Sequence, residues 1–420
     1  MIVTADFHLH SLWSRATSKQ MNLEGISDGA KIKGLNLVGT GDFTHPKWFE
    51  ELKRKLKPVE STGLFEYKGT RFMLTSEVAT YFEVEKVMKR VHHVIHAPSF
   101  EVVERVNEAL AKHGNLASDG RPILNLTAAE LVEILTEISK DVLIYPAHVW
   151  TPWMSCLGSK SGFDSVEECY QDQVKRIFAL ETGLSSDPAM NWRLSKLDKF
   201  TLVSNSDSHS PHPWRLGREA NVFNLEKVTY WEIFEAVKKK DKKKFLYTIE
   251  VDPNYGKYHF TGHRNCSVAL HPRDAIKLNN ICPKCHRKLT IGVLQRVEEL
   301  ADRPEGFVPK DAIPFKTLLP LYEIISFAWG SGELYSKKVL EEHDKLIEKF
   351  GNELNVLLNV PKEELLKVTN EKIADAIIRV REGKVKYISG FDGVYGKVVF
   401  DEKFEPKKEK FLCQKNLRQF

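Results

Sequence analysis

Long apolar segments are missing from this chain of 420 residues. No run approaches the roughly 20 apolar residues that a membrane-spanning helix needs, which argues against an integral membrane protein. The amino-terminal residues also lack a basic segment followed by an apolar core, so no secretory signal is predicted. We therefore expect a cytoplasmic protein of two or three domains with no membrane partner.

Cysteine is scarce, at six residues, and three of the six lie close together. Disulfides are not expected in the cytosol, so clustered cysteines indicate a metal site. Two metal-ligand pairs, separated by fifteen residues, are His263 with Cys266 and Cys282 with Cys285. Such pairs can close a tetrahedral structural Zn²⁺ site. The fourth ligand stays open, because His259 and His286 compete with His263, which best reproduces the two-residue spacing.

Neither positive nor negative residues are in large excess, since the formal net charge of the chain is only +5. Charged residues make up 28% of the chain and are rich in Lys and Glu, which is typical of thermophile proteins. Lysine is concentrated in "VKKKDKKKF", residues 237–245, whose lysines are Lys238, Lys239, Lys240, Lys242, Lys243 and Lys244. Such a run is either a solvated helix end or a contact for a nucleic-acid backbone.

Short apolar runs alternate with helix-like stretches from Met1 to about Asn224. Examples of the runs are "LNLVGTGDF", "DVLIYPAHVW" and "FTLVSNSDSHS". The helix-like stretch "TAAELVEILTEIS" opens with a capping box formed by Thr127 and Glu130. This alternation predicts an α/β fold with parallel strands, arranged as a βα-type sheet or barrel.

Metal-binding residue types recur where these apolar runs end. In "TADFHLHS", His8 and His10 point to the same side because strand side chains alternate between faces. The later runs add Asp42 and His45, then Glu77, His92 and His148, and finally Asp207 and His209. Active sites of βα barrels form at the carboxyl ends of the strands. A circuit of this kind is hard to explain by core packing, because each buried polar group would need its own partner.

The motifs "HLH", "GTGDFTH", Ser76-Glu77, "VHH", "PAH" and "SDSH" resemble those of the PHP (polymerase and histidinol phosphatase) superfamily. Over essentially its full length, from "HSLWSRATSKQM" to "GFDGVYGKV", the chain is similar to the archaeal endonuclease Q family. The resemblance implies a distorted seven-stranded βα barrel, a small Cys-rich zinc-binding domain and a small, mainly helical carboxyl-terminal domain. The expected segments are 1–224 for the barrel, 225–310 for the lysine-rich segment and zinc-binding domain, 311–405 for a helical DNA-binding domain and 406–420 for a tail.

The resemblance also implies two or three divalent metals in the barrel. One would be held by His8, His10, Glu77 and Asp207. Glu77 would bridge to a second, held also by His92 and His148, and His209 with His45 and Asp42 would hold a third. Catalysis would rest on His8, His10, Glu77, Asp207 and His209. Zn²⁺ suits the histidines, while Mn²⁺ or Mg²⁺ could support turnover.

The chain departs from the superfamily pattern at two positions. Many members have Asp five residues after the second His of the first motif, where this chain has Arg15. Many also have adjacent Asp and His in the second motif, whereas His45 is displaced past Phe43 and Thr44. Both departures concern the third metal.

The implied activity is a nick in DNA on the 5′ side of uracil, hypoxanthine, xanthine or an abasic site, leaving a 3′-hydroxyl and a 5′-phosphate. The lysine run and Trp153 are candidate DNA contacts, and the tryptophan could stack beside an extruded base. The alternative is a small-molecule phosphatase of the histidinol-phosphate type, which needs only the barrel.

The last seven residues, "QKNLRQF", place Gln414, Leu417 and Phe420 in a Q-x-x-L-x-x-F pattern. One helical turn would bring Leu417 and Phe420 onto one face. The pattern resembles the short peptide by which repair and replication enzymes bind the sliding clamp (PCNA), a case of helix-in-groove recognition. We therefore expect a clamp as a second partner, and a tail docked on its own domain as the alternative.

Overall fold

Strands and helices alternate along the first half of the chain, as predicted. The computed structural model describes residues 1–330 and 334–400. The strands of this part are β1 (Ile2–Asp6), β2 (Leu37–Gly39), β3 (Lys57–Val59), β4 (Leu64–Tyr67), β5 (Thr70–Val84), β6 (Val87–Ala97), β7 (Ile123–Leu124), β8 (Leu143–Pro146), β9 (Ala179–Glu181), β10 (Thr201–Val203) and β11 (Ala220–Asn224). The helices are α1 (Leu23–Lys33), α2 (Pro46–Lys55), α3 (Phe100–Leu110), α4 (Ala128–Ile138), α5 (Val166–Tyr170) and α6 (Pro188–Asn191). The predicted capping box of α4 is confirmed, since Thr127 and Glu130 bond each other's backbone.

Seven strands follow one another around a closed circuit. Ladder hydrogen bonds join β1 to β2, β2 to β5, β5 to β6 and β6 to β8, while β9 and β10 form a separate parallel pair. Two irregular joints complete the circuit: Val149 N donates to Glu181 O, and Phe7 N donates to the Asn205 side chain. One buried apolar cluster contains a residue from each strand: Ala5, Leu37, Met73, Val94, Tyr145, Ala179 and Val203. The α/β class is therefore confirmed, and the strand circuit agrees with a distorted barrel.

The expectation of parallel strands is wrong at β6. This strand pairs antiparallel with both β5 and β8. The reason is the two-residue turn at Glu85 and Lys86, which joins β5 and β6 directly as a hairpin, whereas a parallel pair needs a long crossover.

The remaining elements extend the sheet and add two smaller parts. They are α7 (Tyr230–Lys238), β12 (Phe245–Glu250), β13 (Thr261–His263), β14 (Val268–Leu270), α8 (Pro272–Lys277), α9 (Val293–Leu300), β15 (Phe315–Thr317), α10 (Leu321–Trp329), α11 (Lys337–Phe350), α12 (Glu353–Leu358), α13 (Lys362–Leu365), α14 (Glu371–Arg381), β16 (Lys386–Ile388) and β17 (Lys397–Val399). β12 pairs with β11, and β15 pairs with β12. The sheet therefore continues past the expected boundaries at residues 224 and 310.

The helical part, α10 to α14, packs against the barrel through a buried ion pair. Lys33 Nζ of α1 is 2.7 Å from Glu353 Oε1 of α12, and both side chains are almost completely buried. A buried lysine is tolerated only when it is paired in this way. Among the described residues, no helix combines the length and apolarity needed to cross a membrane.

Candidate metal centre and DNA interface

Glu77 of β5 lies between two pairs of histidines. Its Oε2 is 3.2 Å from His10 Nε2 and 3.5 Å from His8 Nε2. Its Oε1 is 2.8 Å from His92 Nδ1 and 3.3 Å from His148 Nε2. Each oxygen of this buried carboxylate therefore faces a different pair of imidazoles.

Two groups of ligand-type atoms result, and the atoms of each lie within 4.8 Å of one another. The first group is His8, His10, Glu77 and Asp207, and the second is Glu77, His92 and His148. Asp207 Oδ1 completes the first group at 3.1 Å from His10 Nε2. The structure thus brings together six of the nine barrel residues predicted to bind metal.

The donor set of the first group fits a divalent cation. Burial alone would lower the pKa of His8, but Glu181, Glu77 and Asp207 raise it well above its usual range, so these carboxylates favour a positive charge that a bound cation would supply in place of the proton. The Nε2 atom of His8 is buried, and it makes no hydrogen bond within the described part of the chain. Such a nitrogen, surrounded by carboxylate oxygens, is a typical ligand for Zn²⁺ and related ions.

Charge in the second group also suits a metal. Burial lowers the pKa of His92 to about 4, so its ring is neutral near pH 7. Neutral imidazole is the form that binds metals. Burial would raise the pKa of Glu77, but His92, Arg121 and His8 hold it well below its usual range, which keeps the bridging carboxylate ionised.

Three of the predicted barrel ligands have a strained backbone. Asp42, His148 and Asp207 have φ angles of 50°, 30° and 48°, in the left-handed region that non-glycine residues avoid. Each such residue costs about 1–3 kcal/mol, and strain of this kind clusters at functional sites. The surrounding hydrogen bonds maintain it; His148 N, for example, donates to Glu181 Oε2 at 2.9 Å.

Three further side chains hold the ligands in place, and none of them was predicted from the sequence. His8 Nδ1 donates to both oxygens of Glu181, at 3.1 and 3.0 Å, which directs Nε2 into the first group. Arg121 Nη1 donates to Glu77 Oε2 at 3.1 Å. Asp6 accepts from Ser206 N at 3.0 Å and so fixes the loop that carries Asp207. The available signal was the acidic residue at the end of "IFALETG", which is Glu181.

Asp42, His45 and His209 belong to neither group. Asp42 Oδ1 accepts from His10 Nδ1 at 3.1 Å, while its other oxygen accepts from Ser11 N at 2.6 Å. His45 stacks on Trp13, with ring centroids 4.9 Å apart. His209 lies beside His10, with centroids 4.4 Å apart. A third metal at these residues therefore stays a prediction.

A cavity of about 370 Å³ opens beside the second group. His92, His148 and Asp207 line one end of it, and Trp153 and Tyr258 line the other. The rings of Trp153 and Tyr258 meet edge to face at 5.7 Å, and Trp153 is 41% exposed. Tyr395, Lys257, Leu184 and Gly256 also line it, so the carboxyl-terminal β16–β17 segment reaches the barrel site.

The lysine-rich segment lies at the opposite end of the barrel from the metal ligands. β12 begins immediately after it at Phe245, and Phe245 pairs with Phe223, which in turn pairs with Val3 near the start of β1. His8 lies beyond the other end of β1. Its lysines also have partners within the chain; Lys240 Nζ, for example, donates to Asp198 O at 2.7 Å. The segment therefore lies away from the metal ligands, and its contact with a DNA backbone stays a prediction.

The four predicted zinc ligands come together in the part formed by β13, β14 and α8. They are His263, Cys266, Cys282 and Cys285. Burial alone would raise the pKa of Cys282, but the N–H groups of Cys285 and Lys284 lower it to about 6, which favours the thiolate that binds metal. His259 and His286 are not members of the group. The predicted clamp-binding residues, Gln414, Leu417 and Phe420, lie outside the described residues.

Comparisons with known proteins agree with this architecture. The crystal structure of a lesion-specific endonuclease, PfuEndoQ from Pyrococcus furiosus, is 39% identical, with a TM-score of 0.86 over 96% of both chains. The chain belongs to the endonuclease Q family. A structure of endonuclease Q with a 27-mer duplex containing an abasic lesion matches equally well, at 39% identity and a TM-score of 0.86 over 96% of this chain and 97% of that one.

Two further comparisons match only part of this chain. The family model for the MJ0043 C-terminal domain matches residues 320–384, which include α10 to α14. The uncharacterized protein MJ0043 of Methanocaldococcus jannaschii is 38% identical over 273 residues, or 64% of this chain. The match spans about a third of that relative, 34% of its length. The prediction of a metal-dependent endonuclease is confirmed by family membership.

Proposed function

We propose that this chain is a DNA-repair enzyme that nicks the strand on the 5′ side of uracil, hypoxanthine, xanthine and abasic sites, leaving a 3′-hydroxyl and a 5′-phosphate. The observation that carries the proposal is Glu77, whose two oxygens face two separate groups of histidines beside an aromatic-lined cavity. A carboxylate so placed could contribute one oxygen to each of two bound cations, which together would supply the charge that phosphodiester cleavage needs.

The residues of the two groups would hold two divalent ions, and His209 with His45 and Asp42 would hold a third. Ions bound there would activate water and neutralise the charge that develops on a phosphodiester. Glu181 keeps the His8 ring oriented through Nδ1, and Asp42 does the same for His10. Residues of this kind set both ligand direction and basicity.

The cavity beside the second group is our candidate for the extruded nucleotide. Trp153, Tyr258 and Tyr395 offer ring faces or edges for a base, while Lys257 supplies a cation. Aromatic stacking tolerates bases of different size, as the predicted substrate range requires. Selection for deamination then depends on keto oxygens and ring N–H groups, since the parent bases cytosine, adenine and guanine carry an exocyclic amino group where deamination places a keto oxygen.

The zinc-binding part is the candidate surface for the DNA backbone, in place of the lysine-rich segment. Residues 264–288 contain six Lys and Arg against one acidic residue, a net charge of +5 that equals the formal charge of the whole chain. All six are exposed: Arg264, Arg273, Lys277, Lys284, Arg287 and Lys288. This part packs beside the loop that carries Trp153, since Ser159 Oγ donates to Ile291 O at 3.5 Å. DNA entering the cavity would therefore meet it.

The tail is proposed to bind the sliding clamp through Gln414, Leu417 and Phe420. Clamp binding would raise the effective concentration of the enzyme on DNA. Deleting residues 414–420 should abolish clamp binding, measured by surface plasmon resonance, and clamp stimulation, while intrinsic nicking stays unchanged. Equal clamp affinity of the truncated enzyme would contradict this assignment.

The function is tested with labelled duplexes that contain uracil, hypoxanthine, xanthine, an abasic site or no lesion, each with Zn²⁺, Mn²⁺ or Mg²⁺. We expect a single nick 5′ of each lesion, with ends that a ligase and a phosphatase identify. Asp207→Asn should abolish nicking and retain DNA binding, while the exposed Asp28→Asn serves as the matched control. Turnover of p-nitrophenyl phosphate without nicking would instead favour the small-molecule phosphatase.

A further inference from the structure

The β5–β6 hairpin extends well beyond the metal ligands that it carries. Its strands pair without interruption from Leu74–Ala97 to Val84–Val87. Glu77 and His92 lie in the inner, buried half, whereas the outer half is largely half-buried or exposed. Glu85 and Lys86 close the turn with φ angles of 50° and 64°, which match the twist of a tight hairpin. The barrel core does not require this extension.

One face of the hairpin runs outward from the metal site. Side chains alternate along a strand, and directly paired residues share a face. Glu77 and His92 point to the site, so Tyr81 and its pair Arg90 lie on the same face one step further out. Two residues along an antiparallel strand correspond to about 6.8 Å. Arg90 is therefore the first cation that a DNA strand would meet when it leaves the site along this ribbon.

The Arg90 side chain is held in place by packing, and its guanidinium has no acidic partner within the described residues. Its guanidinium lies over the Tyr81 ring, 5.1 Å from the centroid. Tyr81 is itself anchored, because its hydroxyl donates to Met154 Sδ at 3.4 Å. The backbone of Arg90 is held by Ser161, whose hydroxyl donates to Arg90 O at 3.3 Å. Within residues 1–330 and 334–400, Arg90 forms no ion pair with a carboxylate. A stacked guanidinium with unused N–H donors is preorganised for a phosphate.

We propose that Arg90, supported by Tyr81, binds a backbone phosphate of the cleaved strand within two nucleotides of the scissile bond and so positions that strand. The distance argues for this range, since successive phosphates of one strand are about 3.4 Å apart along the duplex axis. The proposal rests on the proposed nicking activity and adds a positioning residue to it. Arg90 acts through substrate placement rather than on the reacting atoms.

The test combines Arg90→Gln with lesion duplexes in which single phosphates are replaced by uncharged methylphosphonates, scanned across four positions on each side of the nick. Binding is measured by fluorescence anisotropy on the zinc-loaded enzyme, using a methylphosphonate also at the scissile position to resist cleavage. For the wild type, one position within two nucleotides should weaken binding roughly tenfold, the value of a charged hydrogen bond. Arg90→Gln should bind every duplex about tenfold more weakly than the wild type does, except the duplex neutralised at that position, which both proteins should bind equally.

Lys86→Gln is the matched control, because it removes one positive charge from the exposed turn of the same hairpin. It should keep the full wild-type sensitivity at the critical position. Arg90→Lys keeps the charge and should retain part of the sensitivity, which also covers the case in which Arg90→Gln fails to fold. Melting temperature and zinc content are measured for every variant, and KM should rise more than kcat falls.

Equal sensitivity of Arg90→Gln and wild type at all scanned positions would overturn the proposal and leave the nicking function intact. If Arg90→Gln lowers the zinc content or the melting temperature but leaves the phosphate sensitivity unchanged, the proposal is also overturned. Arg90 would then only stabilise the hairpin. Failure of the wild type to nick lesion duplexes is a separate outcome that refutes the proposed function itself.

Discussion

The barrel and the zinc-binding part each assemble histidines with acidic or thiol ligands, but they do so in opposite ways. The barrel groups join residues that are widely separated in the chain, between His8 and Asp207, and most of them are buried. The zinc-binding group comes from residues 263–285 alone, and three of its four members are only half-buried. The barrel groups therefore form only when the whole barrel is folded, whereas the zinc-binding group is contained in one short segment of the chain.

The ligand types explain this difference. Four N and S ligands would complete the tetrahedral shell of a bound Zn²⁺ and leave no position for a substrate, so the group in residues 263–285 is predicted to stabilise structure. The barrel groups share one carboxylate and open onto a cavity, which leaves space for water and a phosphodiester. Chemistry is therefore expected at the long-range site and stability at the local one.

Glu77→Gln is the sharpest test, because this carboxylate serves both barrel groups. The amide cannot bridge two cations, so nicking of a lesion duplex should fall at least about 10³-fold, or about 4 kcal/mol in the barrier. Metal analysis should show loss of barrel metal while the zinc of residues 263–285 is retained. Glu66→Gln, on the exposed side of β4, is the control and should behave as wild type. Full nicking activity of Glu77→Gln would contradict the assignment of Glu77 to both barrel groups.

Cys282→Ser should show the reverse pattern. One zinc per chain should be lost and the free energy of unfolding should fall by more than about 2 kcal/mol, because a structural site contributes directly to folding. The nicking rate of Cys282→Ser at saturating concentrations of lesion duplex should fall far less than that of Glu77→Gln. Cys156→Ser is a control for thiol loss outside the group. Unchanged zinc content of Cys282→Ser would refute the four-ligand site.

Glu181→Gln probes the long-range character of the barrel site. The amide keeps the size of the side chain but binds His8 Nδ1 and His148 N without charge. Partners of this kind typically contribute 10–100-fold to metal affinity or activity. We expect a loss in that range, partly restored by excess Zn²⁺ or Mn²⁺ in a titration of nicking rate. A loss as complete as that of Glu77→Gln would mean that Glu181 binds metal itself.

The same contrast explains what the sequence could predict. The candidate zinc ligands, which the structure brings together, could be selected from spacing alone, and the barrel candidates from their recurrence after apolar runs. Glu181 and Arg121 were missed because their roles depend on contacts with His8 and Glu77, far away in the chain. The location of the lysine-rich segment could not be predicted for a similar reason, since it depends on the direction of β12 rather than on the composition of the segment.

The smallest expected effects distinguish the two basic regions. The double variant Lys284→Gln/Arg287→Gln removes two exposed charges from the zinc-binding part, while Lys242→Gln/Lys243→Gln removes the same charge from the opposite end of the barrel. Each lost phosphate contact reduces the slope of log affinity against log salt concentration by about 0.9. The first variant should therefore lose up to about 1.8 in slope, measured by anisotropy between 50 and 200 mM salt, whereas the second should match the wild type. A reduced slope for Lys242→Gln/Lys243→Gln alone would show that the lysine-rich segment contacts the DNA backbone. The zinc-binding part would then have only a structural role.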